Sequence, residues 1–135
     1  MKNIFLDSDI ILDALLKRPD FSIPAMNVMA LAFEHNFKLM TSPIVFVNVH
    51  YFLNKFDRSN KLKLLRGCRS AISIIQVNET IIDSAIESGL NDFEDAVQYY
   101  AALNANANFI LTRNIKDYKH STIPVLTAEQ FLKTL

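Results

Sequence analysis

Apolar runs of a few residues alternate along this chain with longer segments of helical period. Residues 3–6 read as a short buried strand that stops on two aspartates, Asp7 and Asp9, and residues 10–16 continue with Asp13 and Lys17 at a helical i,i+4 spacing. Ser22 is positioned to cap a helix over 23–35 with Pro24 in its tolerant first turn, and its apolar stripe of Met26, Met29, Ala30 and Phe33 is expected in the core. Residues 38–41 form a second strand, after which Ser42 and Pro43 open a third helix over 43–55. A helix over 59–70 leads to an apolar strand at 72–77, and Asn78 or Thr80 starts a helix that ends at Gly89. Helix 91–105, strands 108–112 and 123–127, and a capping box of Thr127 with Gln130 complete the pattern. Strands separated by helices in this way predict a three-layer α/β/α fold around a mostly parallel, about five-stranded sheet, spanning 1–135 as one domain.

Composition narrows the function. A 50% hydrophobic, 21% charged chain of 135 residues has the make-up of a compact domain. Its formal net charge of zero offers no global field for nucleic acid or an anionic membrane, so any such attraction must be local. The lone Cys68 allows neither an internal disulfide nor a cysteine zinc cluster, and no apolar leader or span is recognisable, which together predict a cytoplasmic location without membrane contact. With glycine only at positions 67 and 89, a P-loop and a GxGxxG turn are both ruled out. His35, His50 and His120 form no HxH or HxxxH pair, which argues against zinc.

The acids carry the remaining signal. Ligands bind beyond the carboxyl ends of parallel strands, and Asp7 and Asp9 stand at one such end while Asn114 and Asp117, in "TRNIKD", stand at another. A third group, Asp92, Glu94 and Asp95 in "NDFEDA", opens a helix with Asp92 and Asp95 at i,i+3. Carboxylates crowded together stay ionised only beside a cation, and an all-oxygen donor set selects Mg²⁺ or Mn²⁺. Structural roles compete with this. Ser8 or Asp9 can cap the first helix, Asp13 can pair with Lys17, and Asp92 and Glu94 can complement a helix dipole. Asp7 alone has no such alternative.

Three segments in this order resemble the PIN domain, the nuclease fold of VapC-type toxins and of ribosome-processing and RNA-decay enzymes. "FLDSDIILD" resembles the opening DTNxLxD of that family, "EDAVQYYAAL" its DAxIAAxAL, and "TRNIKDY" its closing TRNxxDF. The resemblance implies that Asp7, Asp95 and Asp117 bind metal and carry catalysis, with Asn114 and Thr112 beside them. Where the family usually carries a glutamate, six residues beyond Ser42, this chain has Asn48. Asparagine offers a carbonyl oxygen without charge, and Glu94 is the candidate to supply what is missing. Asp9 and Asp92 fall in the outer shell.

The implied reaction is metal-assisted hydrolysis of RNA phosphodiester bonds, by an endoribonuclease that is the toxin of a toxin–antitoxin pair. Its partners would be RNA, a cognate antitoxin and a second copy of the chain. Arg113 and Lys116, beside the acids, are expected to contact substrate, whereas Lys55, Arg58, Lys61, Lys63, Arg66 and Arg69 read as a solvated helix face. Two other readings stay open. One is a catalytically silent PIN domain that binds RNA or protein, which Asn48 favours. The other is a haloacid-dehalogenase-type phosphatase, whose DxDx(T/V) motif "DSDII" imitates.

Overall fold

The computed structural model describes residues 1–135. Five strands, β1 (Lys2–Leu6), β2 (Phe37–Thr41), β3 (Ser73–Ile74), β4 (Phe109–Leu111) and β5 (Val125–Leu126), form one sheet in the order β3-β2-β1-β4-β5. Every pairing is parallel. β1 aligns Ile4 with Leu39 on one side and with Phe109 on the other. The strand order reverses between β1 and β4, which makes the crevice beyond their carboxyl ends the natural ligand position of such a sheet.

Seven helices cover the sheet: α1 (Ser8–Leu15), α2 (Ser22–Ala30), α3 (Pro43–Phe56), α4 (Lys61–Ala71), α5 (Glu79–Glu87), α6 (Phe93–Asn104) and α7 (Ala128–Leu132). α1 packs on α2 and α3, α7 packs on α2, and α5 packs on α6. The connection from β3 back to β4 runs through the packed α5–α6 pair. Leu6, Ile10, Ile11, Val49, Leu53, Ile110, Leu111 and Phe131 lie in the main core, and a satellite of Ile81, Ala85, Ala96, Val97 and Ala101 joins α5 to α6. Three-layer order and parallel sheet are as the pattern predicts. No helix is long and apolar enough to cross a membrane.

Local chemistry fixes most helix starts. The Ser42 hydroxyl accepts the Val45 N–H at 3.1 Å with Pro43 behind it, and the Asn78 side chain accepts the Ile81 N–H at 3.0 Å. Thr127 and Gln130 form the expected reciprocal capping box. Past the end of α5, Gly89 takes φ 71°, the left-handed conformation that a residue with a Cβ adopts only under strain.

Four expectations need correction. The first helix starts at Ser8 because Asp7 itself caps it, so neither Ser8 nor Asp9 is the cap. The helix expected over 23–35 stops at Ala30 and tightens into a 3-10 turn, Leu31–Phe33, because Glu34 must turn extended to feed β2. Its inward line is Ala25, Val28 and Leu31, which leaves Met26 and Phe33 exposed, Phe33 by 82%. The strand expected at 72–77 shrinks to two residues, since an outermost strand keeps only the pairs that β2 offers it. Lys55, Arg58, Lys63, Arg66 and Arg69 are exposed, as a solvated face requires, and Lys61 donates to the Asn54 Oδ1 at 2.8 Å.

Candidate metal centre

Asp7 completes β1 and begins α1. Its N–H donates to the Leu111 carbonyl at 3.0 Å, continuing the ladder with β4, while its Oδ1 accepts the first N–H of α1, from Ser8, at 2.8 Å. Thr112, buried at the end of β4, donates its hydroxyl to Asp7 Oδ2 at 3.1 Å and faces Asp9 Oδ2 at 3.3 Å. One proton is thus shared by two carboxylates. Asp9 Oδ2 also accepts the Arg113 N–H at 2.9 Å and the Asn114 amide at 3.4 Å, so Asp9 ties α1 to the turn after β4.

α6 brings the third group. Asp92 caps it by accepting the Asp95 N–H at 3.0 Å, a structural role that accounts for the Asp92 carboxylate. Asp95 then stands in the first turn of α6. Glu94, one residue earlier, accepts the Asn48 side-chain amide of α3 at 2.7 Å. Glu94 thus stands against Asn48, the position at which the resemblance leads one to expect a glutamate. Ser42 and Gln98, both buried, anchor α6 further: the Ser42 hydroxyl donates to Gln98 Oε1. The sequence gives no sign of this link, since a serine cap satisfies its own hydrogen-bonding locally.

The electrostatics identify the acids that face one another. Burial, then the charge of Asp9, pushes the Asp7 carboxyl up to about 6, against the opposing hydrogen bonds from Ser8, Thr112 and Tyr118. Burial, followed by the charges of Asp92, Asp7, Asp117 and Glu94, pushes Asp95 up to about 7. Burial likewise raises Asp9, and Asp9 Oδ1 is buried without a hydrogen-bond partner. Asp117 is exposed on the 3-10 turn Ile115–Tyr118 and acts on Asp95 through its charge.

No three of the acid, imidazole or thiol side chains stand close enough together to form a ready-made cage. Mg²⁺ is commonly held by one or two carboxylates, with water and phosphate completing the shell. The donor set fits a hard divalent ion: oxygen only, net negative, and including an unpartnered buried oxygen on Asp9.

Two expected roles change. The Arg113 guanidinium, expected to contact substrate, is engaged inside the protein: Nε and Nη2 hold Asp13 Oδ2 and Oδ1 at 2.8 and 3.0 Å, and the group lies 4.0 Å from the Phe21 ring centroid. Asp13 accordingly pairs with Arg113, and with Arg18 at 3.4 Å, not with Lys17, which lies past the end of α1 with φ 50°. Lys116 remains exposed beside Asp117. Tyr118, which no sequence signal singled out, reaches Asp7 Oδ2 with its hydroxyl at 3.3 Å.

The raised carboxyl groups predict a pH dependence. An acid held above its unfolded value contributes stability that is full below about pH 4 and lost as pH rises through about 6 for Asp7 and 7 for Asp95. A cation must displace those protons, so it binds better as pH rises through the same window. The gain in melting temperature on adding Mn²⁺ is expected to be small at pH 5.5, to grow through pH 7 and to level off by pH 8. A gain of equal size at all three values would put the ion elsewhere.

The chain matches the PIN domain family model over residues 3–116. It is 28% identical over 138 residues to ribonuclease VapC1 of Aquifex aeolicus (strain VF5), covering 96% of this chain and 93% of that one. VapBC2 from Rickettsia felis, solved bound to a DNA fragment from its promoter, superposes with a TM-score of 0.70 at 22% identity, covering 92% of this chain and 96% of that chain. A toxin–antitoxin complex from Klebsiella pneumoniae gives 0.68 at 21% identity, with 93% and 97% covered. Because the family match runs from β1 to the turn after β4 and takes in every acid described above except Asp117, one residue beyond its end, the chain belongs to the PIN domain family.

Proposed function

We propose that this protein is a metal-dependent endoribonuclease and the toxin of a toxin–antitoxin pair. The observation that carries the reading is the placing of Asp7 at the strand-order reversal of a PIN sheet, with Asp95, 88 positions further on, near enough that the charges of Asp7 and Asp117 raise its carboxyl. The ribonuclease relative and the toxin–antitoxin neighbour support the substrate and partner classes. Asp7, Asp95 and Asp117 would hold Mg²⁺ or Mn²⁺, with Asn114, Asn48 and Glu94 adding oxygen donors. A bound divalent ion supplies an activated water and offsets charge developing on the phosphate. Thr112 and Asp9 orient Asp7 and the turn after β4, and Lys116 meets the RNA backbone. A cognate antitoxin, pairing of two copies and a cytoplasmic setting complete the proposal. Membership of the PIN family removes the phosphatase alternative.

Cleavage of structured RNA with Mn²⁺ tests this directly. Attack by water leaves linear phosphate ends and stops with a chelator. Chelator-resistant cleavage, or 2′,3′-cyclic phosphate ends, would overturn the reading.

Asn48 favours one second reading, a PIN domain that binds partners without cutting, because its amide nitrogen and not a carboxylate faces Glu94. Asn48→Glu separates the two. It sets like charges against each other, costing about 1 kcal/mol without metal. In a working nuclease the Mn²⁺-dependent gain in melting temperature should exceed that of the wild type. A silent domain would show the loss and no gain.

A further inference from the structure

Tyr118 closes the turn that carries Asp117, and its ring is 1% exposed. The ring lies nearly parallel to His120, centroids 6.3 Å apart, and His120 meets Tyr99 edge-on at 4.9 Å. Packing therefore holds the hydroxyl in one place. A buried phenol needs a partner, and the partner here is Asp7 Oδ2 at 3.3 Å. That distance is long for an O–H···O contact, as expected where two hydroxyls compete for one oxygen.

A count of donors gives the hydroxyl its significance. Asp7 Oδ1 takes the Ser8 N–H, and Oδ2 takes Thr112 and Tyr118. Thr112 has one proton and faces Asp9 as well, so when that proton turns to Asp9 only Tyr118 holds Oδ2. We infer that Tyr118 is a positioning residue whose hydroxyl fixes the rotation of the cation-holding carboxylate of Asp7, whichever way Thr112 donates. A phenol keeps its proton at neutral pH, so it remains a donor. The inference rests on the reading that Asp7 holds a divalent ion.

Tyr118→Phe removes one atom and keeps the ring. Its metal-free melting temperature should stay within about 2 °C of wild type, and its Kd for Mn²⁺, measured by calorimetry, should rise about tenfold, the scale of a lost partner behind a metal ligand. With RNA at subsaturating Mn²⁺, kcat should fall by a similar factor while KM is unchanged. In an Asp7→Asn background, Tyr118→Phe should change Mn²⁺ binding no further. Wild-type Mn²⁺ affinity in Tyr118→Phe, or an equal loss in the Asp7→Asn background, overturns the inference alone. Wild-type affinity in Asp7→Asn itself overturns the metal reading, and this inference with it.

Discussion

Asp7→Asn should abolish RNA cleavage while leaving the fold at least as stable as before. Loss of a residue that merely supports a metal ligand costs ten- to a hundredfold, so loss of the ligand itself should cost at least about a hundredfold. Stability should move the other way. Asparagine caps a helix as well as aspartate does, and its carbonyl oxygen can keep the Ser8 N–H. In the metal-free protein above pH 7, the ionised Asp7 is buried beside Asp9 and held at an elevated pKa of about 6. The neutral amide avoids that cost, and the Thr112 and Tyr118 hydroxyls can rotate to accept from its nitrogen. The variant should gain about 1 to 2 kcal/mol at pH 8 with a chelator present, and nothing below pH 4. Melting curves at both pH values, with a cleavage assay, check the two halves separately. Cleavage within threefold of wild type would remove Asp7 from the chemistry.

Arg113→Leu should damage the fold severely. The Asp13 side chain is 1% exposed and held by the Arg113 fork, with a weaker contact to Arg18 at 3.4 Å. Removing Arg113 strands that carboxylate in the interior, for which about 3 kcal/mol is expected, or roughly a 10 °C fall in melting temperature. Asp13→Asn should cost about half as much, because the Arg113 side chain is 32% exposed and water can solvate it. Arg113→Lys should rescue little, since an ammonium cannot span both oxygens or lie over Phe21 in the same way. If Arg113→Leu melted like wild type and cut RNA poorly, the arginine would be a substrate contact after all, as its place in the sequence had implied.

What the sequence makes legible is what neighbouring residues decide. Ser42 with Pro43, Asn78 and the Thr127–Gln130 box announce their helices because each cap is completed within three residues. The acids at the ends of β1 and β4 could be read because strand, turn and helix follow one another directly. The partner of Asp13 could not. It lies 100 positions away, in the turn after a strand whose place beside β1 depends on the whole sheet order. Lys17, four residues on, is nearer in sequence but falls where the helix has already ended. The role of Tyr118 is hidden for the same reason, and Asp7 concealed its capping because one residue serves strand, helix and pocket together. The lengths of β3 and β5 depend on register with their single neighbours, which hydrophobic pattern does not encode.

Those two lengths have a consequence for self-association. A sheet can be extended by a foreign strand only where a run of backbone groups lies free along its border, and long open borders lead to fibrils. Both borders here are two-residue stubs, so an invading chain finds too few donors and acceptors to take hold. Concentrated solutions of this protein should resist amyloid-like growth.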